Sequence, residues 1–259
     1  MTGKQGRRWF GYALMLLLPV AAAALVSVAL AAQPNEREVK PEPNALDPDK
    51  VNAENGRLWV LDFKFKDPRL IKVDVPGKGQ KVCWYLWYQV INNTGEPRLF
   101  IPEFELKTRD KETVHHDQIL PAVQDAIIAL EDPAPHYLNI KNTVTISADP
   151  IPVTNKDATP RAVTGVAIWD DVDPESNQYD IFVAGLSNGL VEADNPIDPS
   201  GPKVIRRKTL QLPFKRLGDK YYQKSEEIKF DGPAKWIYRA SDLKVPGLPG
   251  KVPEVPKGP

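Results

Sequence analysis

Val82-Cys83-Trp84-Tyr85-Leu86-Trp87-Tyr88-Gln89-Val90-Ile91 is a run dominated by aromatic and aliphatic side chains. Alternation along an extended chain puts Val82, Trp84, Leu86, Tyr88 and Val90 on one face and Cys83, Tyr85, Trp87, Gln89 and Ile91 on the other. Both faces are apolar, which a strand sustains when each is covered. The run therefore predicts a central strand with a second sheet against one face and a helix or loop against the other. A second reading leaves Tyr85 and Trp87 partly open as a platform for a sugar ring or a partner surface.

Outward from this strand, Asn92-Asn93-Thr94-Gly95-Glu96 supplies a turn, and short strand-like runs recur between turn clusters. RLWVLDFKF and LIKVDV precede it; RLFIPEFELK, YLNIKNTVTIS, AVTGVAIW, YDIFVAGL, VIRRKTLQLPF, EEIKF and AKWIYRA follow. Period two is plain in Leu210, Leu212 and Phe214, with Thr209 and Gln211 between them. One segment departs from the pattern. In DQILPAVQDAIIALEDP, residues Ile119, Leu120, Val123, Ala126, Ile127 and Leu130 share a helical stripe, Pro121 suits a first turn, and Asp132-Pro133 ends it. Many short strands with a single helical pattern predict a mainly β chain: an antiparallel β-sandwich of the immunoglobulin-like class with one inserted helix.

The two ends read differently. MTGKQGRRWFGY carries Lys4, Arg7 and Arg8 and runs into ALMLLLPVAAAALVSVALAAQ, so residues 1–31 have the form of an export signal, either cut before Ala32 or kept as an anchor. Arg7-Arg8 also resembles the twin-arginine motif, although Gly6, Gly11 and Tyr12 depart from it; the general secretory route is the expectation. Residues 32–56 are polar and proline-bearing and predict a flexible linker. Residues 57–242 hold the domain, and 243–259 are a proline-rich tail of extended character. The whole chain has 34 basic and 34 acidic side chains. Loss of Lys4, Arg7 and Arg8 leaves the remainder three charges negative, which argues against a nucleic-acid partner. Cys83 is the lone cysteine, so the fold needs neither a disulfide framework nor a cysteine-based zinc site, and a small buried role suits it.

Several groups invite a chemical reading. Gly185-Leu186-Ser187-Asn188-Gly189 matches G-x-S-x-G, the nucleophile elbow of serine hydrolases. That motif needs a helix after the serine, and Pro196 follows too soon; His115, His116 and His136 all precede Ser187. A glycine and Asn-Gly turn at a strand end is the expectation. Asp171, Asp173 and Glu175, with Asn177, place oxygens at alternate positions as a calcium loop does. The glycine and the twelfth-position acid of such a loop are Ser176 and Phe182 here, so a solvated acidic loop is the plainer reading. His115-His116-Asp117 would point its two rings opposite ways, and Asp117 suits a helix cap. Between Lys203 and Lys224 the basic side chains read as a solvated strand face or as a patch for anionic envelope polymer or lipid headgroups.

WYLWYQVINNTGEPRLF, the helix after it and GVAIWDDVDPESNQYDIFVAGLSNG resemble exported bacterial proteins with an immunoglobulin-like sandwich. The likeness lies in strand pattern, and the paired cysteines of antibody domains are missing. It implies an exported, non-enzymatic envelope protein, a binding or structural module in the periplasm or cell envelope. The expected partner is an envelope polymer or protein, with no cofactor, and with membrane contact only through an uncleaved N-terminal segment. A carbohydrate-binding module using Tyr85 and Trp87 is the alternative within the binding class. A hydrolase using Ser187, or a cation at Asp171, Asp173 and Glu175, is the alternative outside it.

Overall fold

A computed structural model describes residues 36–39, 58–134, 137–155, 159–195, 199–218 and 227–240. The expected export segment, the proline-rich tail, His136 and Pro196 lie outside them. Among the described residues no helix is long and apolar enough to cross a membrane.

The chain is mainly β, with two antiparallel sheets packed face to face. The first sheet holds β1 (Glu36–Val39), β2 (Asp62–Lys66), β3 (Arg69–Val75), β4 (Gly79–Ile91) and β7 (Ala162–Trp169). The second holds β5 (Glu103–Thr108), β6 (Val114–His116), β8 (Gln178–Ala184), β9 (Leu190–Ala193), β10 (Val204–Arg216), β11 (Ile228–Phe230) and β12 (Lys235–Ala240). The long strands β4 and β10 are the two spines. β2 and β3 share one edge of β4 and β7 takes the other; β8 and β9 lie along β10 with β11 and β12 also paired to it.

The two faces of β4 are covered as its alternation predicts. Trp84, Leu86, Tyr88 and Val90 enter the core between the sheets with Phe104, Ile181, Leu212 and Phe214. Cys83, Tyr85 and Trp87 face outward under the helix α1 (Pro121–Glu131), against Val123 and Ile127. Burial of large aromatic rings on both faces makes this strand the main source of hydrophobic stabilisation. Opposite Tyr88 in the ladder stands Gly165, where a Cβ would lie 2.4 Å from the tyrosine ring. The glycine is there because the ring folds across it.

A one-residue bulge at Asp67-Pro68 changes the phase of the strand beside β4. Phe65 pairs with Tyr88, whereas Arg69 pairs with Tyr85, so four steps on one side match three on the other. Phe63 and Phe65 point into the core before the bulge and Leu70 does so after it. As a result Lys66 and Arg69 emerge on the same outer face. Asp67, buried within the bulge, accepts a two-pronged contact from Arg37 at 3.1 and 3.3 Å and the Phe230 amide at 3.2 Å, joining β1 to both sheets.

Several expectations are corrected. Glu36–Val39 lies inside the stretch 32–56 read as a linker, yet it pairs with β2 as an edge strand, held by Arg37 on Asp67 and by Val39 against the core. Among the described residues there are two helices, not one. Within YLNIKNTVTIS, read as a strand, Thr143–Ile146 forms the short helix α2, because Asn142 accepts from Val144 and Thr145 amides and Thr145 returns a contact to the Asn142 amide. This capping box overrides the β preference of Val, Thr and Ile. Asp117 does not cap α1, whose N-cap position is Leu120; it accepts the Thr143 hydroxyl instead. Of the predicted helical stripe, Val123 and Ile127 are buried, while Ile119 and Leu130 are exposed. RLFIPEFELK is a strand only from Glu103, since Pro97 and Pro102 bracket a crossing between the sheets that leaves Leu99 and Ile101 exposed.

Candidate functional site

The G-x-S-x-G stretch lies between β8 and β9. Val183 pairs with Leu210 and Leu190 pairs with Arg207, so the intervening residues loop out of an otherwise continuous strand along β10. The loop crosses to the other sheet. Ser187 Oγ donates to the Trp59 carbonyl at 2.7 Å and accepts from the Gly189 amide at 3.1 Å, while Asn188 Oδ1 accepts the Trp59 amide at 2.9 Å. The Leu61 amide reaches the Leu186 carbonyl at 2.8 Å. Ser187 is thus a staple between sheets, and no helix follows it within the described residues. Ser187→Ala removes the hydroxyl's bond and is expected to lower stability by about 1–2 kcal/mol, measured by denaturant unfolding. A variant as stable as the parent would contradict the staple.

Tyr85 and Trp87 are 1% and 2% exposed, so the solvent-facing platform is corrected. Both rings lie under α1. The helix is fixed there by its last residue, Glu131, whose buried carboxylate accepts Lys66 Nζ at 3.0 Å, Arg69 Nη1 at 3.0 Å and the Tyr85 hydroxyl at 2.8 Å. Lys66 Nζ also sits 4.3 Å from the Trp87 ring centroid, a cation–π contact. Burial, with the Glu131 charge beside it, pushes the Tyr85 hydroxyl well above the usual phenol range, so it stays a donor.

The acidic loop does not gather around a cation. Asp171 lies 3.1 Å from His115 Nδ1, Asp173 accepts the Glu175 amide at 2.8 Å and stands 3.8 Å from Lys111, and Glu175 is exposed. Among the described residues no group of three or more His, Cys, Asp or Glu converges to hold a metal. His115 and His116 point opposite ways on β6, as their adjacency requires; His115 is buried and His116 exposed. What sequence reading did not foresee is the meeting of His115 with Asp171 and, through Nε2, with Thr113 Oγ1 at 2.8 Å.

The basic stretch is corrected as well. Within β10, Lys208 and Arg216 are 1% and 5% exposed. Lys208 lies 5.1 Å from the Trp236 ring centroid, and Arg216 donates to the Pro174 carbonyl and to Asn177 Oδ1. Alternation turns these two basic side chains inward, where these partners hold them, while Arg206, Arg207 and Lys215 stay partly exposed.

The open concavity lies on the outer face of the second sheet, a cleft of about 480 Å³. Lys107 and Arg109 rise from β5 and its end, Glu112 from the turn before β6, Asp180 and Phe182 from β8, Gln211 from β10, with Ile237–Arg239 of β12 as the far wall. Arg239 lies 4.3 Å from the Phe182 ring centroid and pairs with the buried Glu105, so the one aromatic ring of the floor is capped by a guanidinium. Arg109 is held by the Phe214 carbonyl at 3.2 Å and lies 3.7 Å from Asp180 and 3.8 Å from Asp231. Sequence reading missed this site because Lys107, Asp180 and Gln211 are each merely a polar position of their own strand.

The fold and cleft define a two-sheet antiparallel β domain with a polar concave face. No protein-family model, no curated protein and no solved structure matches the chain. The functional reading therefore rests on these residues.

Proposed function

We propose that the chain is an exported, non-enzymatic binding module of the cell envelope, built on an immunoglobulin-like sandwich and working through the cleft on its second sheet. The observation that carries this reading is the cleft: its volume falls in the range of small-molecule and peptide sites, and it brings charges of both signs from separate strands to one concave surface. Export follows from the basic, then apolar, then small-residue order of residues 1–31. Where that segment is kept it tethers the module to the membrane; where it is cut the module is free in the periplasm. The partner is an envelope polymer or protein. Affinity capture from an envelope fraction with the domain and with its Lys107→Glu, Gln211→Ala double variant tests the reading. A component retained by the parent and lost by the variant is expected; identical capture by both overturns the assignment to the cleft.

A further inference from the structure

β1 is four residues long and, among the described strands, pairs with β2 alone. Every position of it is matched by the edge it lies on. Arg37 and Val39 stand opposite Phe65 and Phe63, whose rings enter the core, while Glu36 and Glu38 stand opposite Lys66 and Lys64 on the other face, acid against base. Arg37 grips Asp67 and lies 5.2 Å from the Phe230 ring centroid, Val39 packs on the core, and Glu38 lies 3.7 Å from Lys64 Nζ. The edge therefore selects acids at alternate positions of one face, and on the other face an arginine followed two positions later by an aliphatic side chain. Without such a strand Asp67, 5% exposed, keeps the Phe230 amide and Lys229 Nζ at 3.9 Å but loses its two-pronged partner, and β2 presents an open edge.

The chain between this strand and the rest of the domain is long for the gap it spans. Val39 stands opposite Phe63, five positions on from Leu58, which puts Val39 and Leu58 no more than about 25 Å apart. Residues 40–57 between them are eighteen positions. A chain of that length reaches about 60 Å when extended, enough to place Glu36–Val39 on the edge of a neighbouring molecule. A second copy offers the same four side chains to the same edge, so exchange requires no new complementarity. We infer that the β2 edge with Asp67 is a strand-accepting site for Glu36–Val39 of a second copy, and that two chains join by exchanging β1 reciprocally. This site is separate from the cleft and does not rest on it. A tether holds its own strand at an effective concentration in the millimolar range, so exchange sets in as the protein approaches that concentration.

Paired cysteine substitutions in the full chain test this, Cys83 being buried and out of reach. Opposed positions of an antiparallel pair lie about 4.5–5.5 Å apart at Cα, within disulfide range. Glu38→Cys and Lys64→Cys together in one chain are expected to close as a monomer in dilute solution, which establishes that β1 is docked and that both substitutions fold. The two single variants, mixed and oxidised at about 1 mM, are expected to give a disulfide-linked heterodimer. Its yield should fall about tenfold when Arg37→Ala is added to the strand donor, because the charge-assisted contact with Asp67 is lost. It should fall at least as far when Glu36→Cys replaces Glu38→Cys, which moves the thiol two positions out of register with residue 64. Equal yields in the three mixtures overturn the inference, as does the absence of heterodimer while the double variant closes within one chain. Failure of the double variant to close overturns the docking of β1 and the inference with it. None of these outcomes bears on the cleft, which the capture experiment tests by itself.

Discussion

Glu131→Ala is expected to lower the stability of the domain by about 3–5 kcal/mol, because it leaves two cations and a phenol on a buried surface without their common acceptor. Lys66 and Glu131 have side chains only 10% and 3% exposed, so water does not replace the lost contacts. The same change frees the last turn of α1, which covers Tyr85 and Trp87. For a domain of this size the loss corresponds to a fall of roughly 10 °C in melting temperature. Tyr85→Phe separates the components: it removes one neutral donor, leaves Lys66 and Arg69 in place, and should cost about 1 kcal/mol. Calorimetric melting of the two variants checks both. Equal effects would mean that the ion cluster adds nothing beyond the phenol's hydrogen bond.

Gly185→Ala is the second large effect. Gly185 has φ 90, and a Cβ there would stand 2.2 Å from the Ile101 carbonyl oxygen. The obstacle is backbone, so no side chain can turn aside. Left-handed strain contributes about 1–2 kcal/mol and the clash about 1–3 kcal/mol more, and the two act together on the loop that joins the sheets. Gly77→Ala serves as the control, since its φ is 75 and nothing stands within 4 Å of the added carbon. It should show the conformational cost alone. If the two variants melt together, the close approach of Gly185 to Ile101 is not a real constraint.

What was legible in the sequence was local. The period of Val82–Ile91 is carried by the residues themselves, and its two apolar faces imply two covers without revealing which elements supply them. The glycines of Gly185–Gly189 mark a turn for the same reason. The rest depends on register between distant segments. Lys66 and Arg69 share a face only because of the bulge at Asp67-Pro68, and a bulge is a relation to β4, not a property of the dipeptide. Their acceptor Glu131 is 65 and 62 positions away. β6 has three residues, too few for a period to appear. α2 was hidden by its β-branched composition, and only the spacing of Asn142 and Thr145 signalled a cap.

The cleft was hidden in the same way. Lys107, Asp180 and Gln211 each alternate with core residues on their own strands and read as solvated positions; pairing of β5, β8 and β10 sets them side by side. Tyr85 and Trp87 drew attention because aromatic residues suggest binding, yet the same apolar surface is what α1 needs beneath it. The polar positions between core residues were the more informative ones for function.

Amide hydrogen exchange of the domain, with and without a soluble envelope fraction, tests the central claim that recognition occurs on the outer face of the second sheet. Slowed exchange confined to Lys107–Glu112 and Ile237–Arg239 is the predicted result; slowing over α1 and the Leu99–Ile101 crossing, with the cleft unchanged, would contradict it.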